Sequence, residues 1–527
     1  MPGYYNVILS LEKPATIHYY NMEKRLILAI ALSLLILLTW SAWVSKIYHI
    51  ENKEVTTKSL IPAQNLAKET PTLIPQPEEL PSPLLFNYSQ EKFAITFIES
   101  QAAIKEATFK NYQDCKLLLQ YGFLLGDKTF NFKKESITPD TVVFVHSDPN
   151  KVVTKKFIFS KSNYNIDLEI KIQNLSSLPI SFNLPLILGA LDFSPKNLEA
   201  RFQDVAVATK EKTLRLNARR DLQFAEIKFL SLRDRYFCAI IEPESNHYTG
   251  FIQKINSGKS NIGLSFADFV LAGGEQIERR FRIYLGPQDL RIINSINPEW
   301  SQVIYYGTFD FISQILLNAL EFLYRLVHNW GGAIVILSLG VYLLLFPLTL
   351  KQMSSMKEMQ KLQPKIEELR KVYKDNPQKL NKEIMELYRQ HKVNPLGGCL
   401  PLVLQMPIFF ALYQALMRSV ALKGAKFLWI KDLSAPDRLF ILPTSLPILG
   451  NEINILPILM AVGMFIQQKI SAGATSSASA EQQKLMMALF PLLFGFIFYH
   501  MPSGLVLYWF INSTFMLFYQ IRMMRLK

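Results

Sequence analysis

Six apolar runs punctuate this chain, and the gaps between them differ in texture. The first run, residues 26–44 (LILAIALSLLILLTWSAWV), approaches the ~20 residues that cross a hydrocarbon core of about 30 Å. Lys24 and Arg25 precede it, and Trp40 and Trp43 stand at its far end, where an interfacial aromatic belt belongs. A cleaved signal peptide is the competing reading, but Trp40-Ser-Ala-Trp43 is a poor cleavage site and the run is long for such a segment. We expect an uncleaved anchor over 26–45, with residues 1–25 in the cytoplasm. Met22 followed by Glu-Lys-Arg reads as the better natural start, leaving residues 1–21 as a leader or a mis-assigned start.

Residues 46–85 are polar and carry Pro62, Pro71, Pro75, Pro77, Pro81 and Pro83. That composition cannot bury a core and reads as an extended linker. The period then changes. Residues 152–173 (VVTKKFIFSKSNYNIDLEIKIQ) alternate apolar and polar side chains as half-buried antiparallel strands do, and Asn174-Leu-Ser-Ser supplies a turn. Further strand-like runs lie at 226–230, 236–241, 248–255 and 279–285. Short strands divided by turns over 86–307 predict an all-β sandwich of two packed sheets. Placed after a span that starts inside, it should be periplasmic. Sandwiches can bind sugars or peptides, but no convergent set of acids or aromatics stands out, and a docking or spacing role is preferred.

Residues 308–328 return to helical spacing, with Phe309, Ile312, Ile315, Leu316, Ala319, Phe322, Leu323 and Leu326 on one side. An amphipathic helix just before a span is expected to lie flat on the outer membrane surface; packing beneath the sandwich is the alternative. Five further spans follow at about 330–350, 398–419, 453–470, 485–500 and 504–521, the last two joined by Met501-Pro-Ser-Gly504. Charge tests the arrangement. Lys351, Lys357, Lys361, Lys365, Arg370, Lys371, Lys374, Lys379, Lys382, Arg389 and Lys392 lie between the second and third spans, and Lys469, Lys484, Arg522, Arg525 and Lys527 flank later ones. With both termini inside, every one falls on the cytoplasmic side, as the positive-inside rule requires. Within 351–395, two stretches of helical periodicity meet at Lys374-Asp-Asn-Pro377, predicting an antiparallel hairpin with proline in a helix first turn. Its apolar positions are sparse, which suggests a mobile element.

Composition narrows the function. Half of the 527 residues are hydrophobic, yet the formal net charge is +14. Spans with basic loops reconcile the two, and such loops can also attract ribosomal RNA or anionic headgroups. Cys115, Cys238 and Cys399 show no CxxC spacing, so zinc or thioredoxin chemistry has no support. A Cys115–Cys238 disulfide and two buried free thiols both remain open. The seven histidines are scattered, no nucleophile–base pair is evident, and no Walker A motif occurs, so neither an enzyme nor a cofactor is expected.

Several motifs in order resemble the YidC/Oxa/Alb insertase family, in its Gram-negative form with a large periplasmic domain. They are Asn329-Trp-Gly, Phe346-Pro-Leu-Thr349, Leu362-Gln-Pro-Lys-Ile366, Lys392-Val-Asn-Pro-Leu-Gly-Gly-Cys399, Gln405-Met-Pro-Ile-Phe409 and Pro502-Ser-Gly-Leu-Val-Leu-Tyr508. The resemblance implies a polytopic helical membrane protein of six spans, with a five-span insertase core over 329–522 and a short tail over 523–527. It also implies a groove open to cytoplasm and lipid that admits nascent membrane proteins, alone or beside the Sec translocon, in the inner membrane. Polar side chains that could line it are Ser338, Tyr342, Gln405, Tyr508, Trp509, Asn512, Ser513 and Thr514; helix packing is the competing role for each. Lys357, Lys361, Lys365, Arg370 and Lys371 of the hairpin are candidate contacts to a ribosome, although a solvated face explains most such charges. Two departures stand out. The family usually has arginine where this chain has Tyr342, and tyrosine where it has Trp509. The implied groove is therefore neutral. A solute transporter with a periplasmic binding domain is the alternative, but paired repeats and midplane ionisable residues, which transporters use, are not seen.

Overall fold

The computed structural model describes residues 84–525 except 127–129, 196, 246, 257, 267, 375, 392, 394–399, 447–449 and 472–479. The expected leader, first span and nearly all of the linker lie outside the described residues, as do Cys399 and the end of the tail.

The alternation read at 152–173 becomes a hairpin of the strands Lys151–Phe159 and Asn165–Asn174. Every second side chain of the latter is buried, from Ile166 through Leu168, Ile170 and Ile172. These strands lie inside a nine-stranded antiparallel sheet that also holds Ile227–Arg233, Phe237–Pro243 and Gln276–Pro287. Four- and five-stranded sheets pack against it, so three main sheets stand where two were expected. Aromatic side chains make much of the junction: Phe97 meets Phe144 and Phe157, and Phe109 stacks on Phe237 at 4.1 Å. The four-stranded sheet, 85–122, has no counterpart among the strand-like runs of the sequence. Its second strand, FAITFI, buries Phe93, Ile95 and Phe97 on one face, but Ala94 and Ile98 on the other are apolar as well, and that masks the two-residue period.

Two fully buried cations of this domain have partners. Arg233 is fully buried; it forks onto both Asp204 carboxylate oxygens at 2.5 and 2.6 Å and donates to Val303 O. Lys155, also fully buried, donates to Ala102 O at 2.5 Å and Phe123 O at 2.6 Å. Burial pushes its ammonium pKa down to about 7, because the charged form is the one that loses hydration. Cys115 and Cys238 are free and buried, which decides between the two readings of those thiols.

A short helix, α1 (Leu290–Ile296), leads to α2 (Asp310–Val327), the expected amphipathic helix. One side of α2 buries Ser313, Leu316 and Leu320, with Ser313 Oγ donating to Ala411 O. The other side exposes Phe311, Ile315, Phe322 and Leu326. Glu321 pairs with Arg291 at 2.9 Å, so the helix also touches the β-rich domain.

Next, α3 (Trp330–Val372) is one continuous helix of 43 residues, about 64 Å at 1.5 Å per residue, roughly twice a hydrocarbon core. The sequence reading divides it near 351; the structure does not. After it come α4 (Pro377–Gln390), α5 (Leu400–Arg418), α6 (Ile455–Ser471), α7 (Ala480–Tyr499) and α8 (Ser503–Arg525). Among the described residues, 330–359 and 503–522 are long and apolar enough to cross a membrane, while Ile455–Ile470 and Ala488–Tyr499 are shorter apolar helices.

The far half of α3 pairs with α4. Met359, Leu362 and Ile366 pack with Ile384, Tyr388 and Val393, so the few apolar positions of the hairpin converge into a small core. Asn376 accepts from Lys379 N with Pro377 at the first turn, as read from the sequence.

Candidate functional site

The candidate groove residues fall on α3, α5 and α8, which enclose a buried apolar centre that includes Ile334, Leu337, Val341, Leu412 and Tyr508. Serine, threonine and asparagine side chains on a helix can return a hydrogen bond to the carbonyl one turn back, and here most do. Ser338 is buried with Oγ donating to Ile334 O at 2.7 Å. Asn512 donates to Tyr508 O at 3.0 Å and Thr514 to Phe510 O at 2.8 Å. Ser513 is half-buried on the same helix.

Two side chains reach between helices. Gln405 Nε2 on α5 donates to the Tyr508 hydroxyl on α8 at 2.8 Å, so Gln405, Tyr508 and Asn512 form one polar set. Tyr342 on α3 stacks against Phe515 of α8 with ring centroids 5.6 Å apart and meets Phe346 at 5.9 Å. Its hydroxyl is buried without a hydrogen-bond partner among the described residues. A buried phenol of this kind normally finds a partner, so this position holds an unspent donor and acceptor.

Trp509 departs from the set. It joins Phe409, Phe494 and Phe498 at centroid distances of 5.1, 5.9 and 5.5 Å, in an aromatic cluster shared by α5, α7 and α8. Tyr519, edge-on to Phe346 at 5.1 Å, and Gln520, buried with an unpartnered Oε1, escaped the sequence reading. Both are polar residues in the last span, so the signal was available. Arg418, at the end of α5, turns to the β-rich domain, reaching Asp204 at 3.5 Å. Arg235 of that domain donates to Met417 O at 2.8 Å and Ser434 O at 3.2 Å.

The hairpin charges are placed differently. Lys361 pairs with Glu358 at 2.7 Å and Lys365 approaches His391 at 3.3 Å. Lys357 is half-buried, Lys371 exposed and Arg370 half-buried. No group of histidine, cysteine, aspartate or glutamate side chains that could hold a metal ion occurs among the described residues.

Residues 322–527 match the family model described as 60Kd inner membrane protein, and residues 120–319 match the one described as YidC periplasmic domain. A relative from Syntrophobacter fumaroxidans, named membrane protein insertase YidC, is 37% identical over 72% of this chain and 70% of its own length. One of the same name from Pelobacter propionicus is 32% identical over 93% of this chain and 97% of its own. A third, from Geotalea uraniireducens, is 35% identical over 71% of this chain and 69% of its own.

Proposed function

The chain belongs to the YidC family of membrane protein insertases, and we propose that it inserts nascent membrane proteins through a neutral polar groove between α3, α5 and α8. It is an inner-membrane protein with a periplasmic β-rich domain, and it is not an enzyme. The observation that carries the groove reading is the buried, unpartnered Tyr342 hydroxyl facing α8. A polar group in hydrocarbon is costly; one that can accept or donate to a passing client, or to water that accompanies it, lowers that cost. Gln405, Tyr508 and Asn512 extend the polar lining, while Ser338, Ser513 and Trp509 shape it. Burial of the client's apolar segment in lipid then drives release, with no nucleotide required.

In this reading α3, α5, α6, α7 and α8 are five core spans that follow an N-terminal anchor, both termini are cytoplasmic, and α2 lies on the periplasmic surface. The half of α3 beyond the bilayer and α4 form the cytoplasmic hairpin. Its Lys361, Lys365 and Lys371, with Lys357 and Arg370, offer a basic surface to a ribosome. The protein works alone or beside the Sec translocon.

A photo-crosslinking amino acid at Tyr342 or Asn512 tests the groove. During insertion it should capture a single-span client, whereas the same probe at the exposed Leu344 of α3 should capture mainly lipid. Equal capture at all three sites would contradict a defined path.

A further inference from the structure

The described residues between α5 and α6, 419–446 and 450–454, form a plate across one end of the helices. Arg418 and Arg235 tie its start to the β-rich domain. A side chain on Gly331, in the first turn of α3, would collide with the Phe427 ring. Gly504 N and Ser503 N, at the start of α8, donate to Leu433 O and Ala435 O. Asp437 accepts from Ile455 N and Leu456 N, capping α6, and from Trp429 Nε1. The plate is therefore fixed at the end where the β-rich domain sits.

A plate this firmly held should hide its apolar side chains, yet three of the largest point outward. Leu428 is 76% exposed, Phe440 61% and Ile441 68%. Leu428 also occupies the left-handed region, with φ +51°, in a tight turn where Phe427 and Ile430 exchange backbone hydrogen bonds. Leucine is uncommon there, and residues held in such conformations cluster at functional positions. The sequence around it reads Lys426-Phe-Leu-Trp-Ile-Lys431, and both lysines are exposed. Phe440 and Ile441 begin a strand, Phe440–Leu446, that follows exposed Arg438.

We infer that the Leu428 turn and the Phe440–Ile441 corner form a second membrane-surface contact that seats the plate in the outer leaflet of the inner membrane. Apolar tips flanked by lysine are suited to the headgroup boundary, where the tip enters the acyl region and the ammonium stays at the phosphates. The occupant is lipid because the plate joins helices whose own outward side chains, Ile336, Leu343 and Leu344 of α3 and Ile458, Leu459 and Val462 of α6, are exposed and apolar. The contact extends that lipid-facing surface to its edge. It rests on the membrane placement proposed above.

The test uses the full chain in vesicles of phosphatidylethanolamine and phosphatidylglycerol, with Cys399→Ser and an environment-sensitive fluorophore on Leu428→Cys, Ile441→Cys or Leu344→Cys. Cys115 and Cys238, being buried, should stay unreactive in each folded variant. We expect nitroxide lipids labelled near the headgroup to quench the first two, and deep-labelled lipids to quench Leu344→Cys. Adding Lys426→Glu and Lys431→Glu should reduce the shallow quenching. If Leu344→Cys is quenched by lipid while the other two respond only to aqueous iodide, the inference fails and the membrane placement stands. Protection of the two sites from lipid and iodide alike would point to a protein occupant, a second copy included, and would also overturn it. If Leu344→Cys escapes lipid as well, both fall.

Discussion

The β-rich domain and the core helices both bury polar side chains, but the domain buries charged ones, Lys155 and Arg233, where the helices bury neutral ones such as Ser313, Ser338 and Gln520. In the domain, Arg233 holds Asp204, Lys155 holds two carbonyls, and Asn174 donates to Leu271 O and Ala272 O, all far away in sequence, while Gln101 Oε1, Ser231 Oγ and Arg279 Nε have no partner among the described residues. In the core, Ser338, Asn512 and Thr514 turn back to their own helices, and Tyr342 Oη, Gln414 Oε1 and Gln520 Oε1 have no partner among the described residues. Large apolar side chains such as Leu344, Leu492 and Phe518 face outward. A buried charge must keep its partner, which holds the domain to one arrangement. A neutral side chain satisfied within its own helix leaves that helix free to shift against its neighbours.

Breaking the domain's pairs should therefore cost far more than altering the core's. Arg233→Ala leaves Asp204 without the guanidinium that holds it, and loss of one member of a buried pair typically costs about 3–5 kcal/mol. Denaturation of the full chain in detergent should show the β-rich domain unfolding well before the native one. An equal midpoint would remove the contrast.

Lys155 gives a weaker, pH-dependent effect. Its pKa is about 7 when folded against 10.5 for the free side chain, so the unfolded chain binds more protons between those values. Its contribution to stability is full above about 10.5 and is lost as pH falls through 7. Hydrogen exchange of the strands Ala103–Phe109 and Lys151–Phe159, corrected for intrinsic rates, should show protection rising from pH 7 to 9. Lys155→Met should flatten that rise.

Tyr342→Phe should have the smallest effect on stability, neutral or slightly stabilising, since it removes a buried hydroxyl with no partner among the described residues. Thermal melting checks that. Insertion of clients with polar flanks should nevertheless slow. Normal insertion rates would make the hydroxyl irrelevant to the groove.

The same contrast explains what the sequence could convey. Helices α2 and α4 to α8 lie within a few residues of the runs read for them because apolar runs, Asn376-Pro377 and Pro502-Ser-Gly504 are local signals, whereas α3 continues past the break read near 351. The hairpin 151–174 was legible because one face alternates cleanly. The strand Phe93–Ile98 was not, since Ala94 and Ile98 on its less buried face are apolar too and hide the period. Among the groove candidates, the Gln405–Tyr508 bond spans 103 residues, and nothing local pairs them. Trp509 read as polar, but its ring met three phenylalanines from distant helices. The number of spans rests on charge and hydrophobic length, and the groove on what the resemblance to the insertase family implies.

The central claim, a neutral groove that works without a fixed positive charge, is tested most directly by inserting a short single-span client into liposomes that contain the native protein, Tyr342→Arg or Tyr342→Ala. The account predicts efficient insertion by the native protein, a gain from arginine confined to clients with acidic flanks, and a loss with alanine for polar-flanked clients generally. Failure of the native protein with every client, where a control insertase succeeds, would contradict autonomous insertion through this groove and leave a role that depends on the Sec translocon.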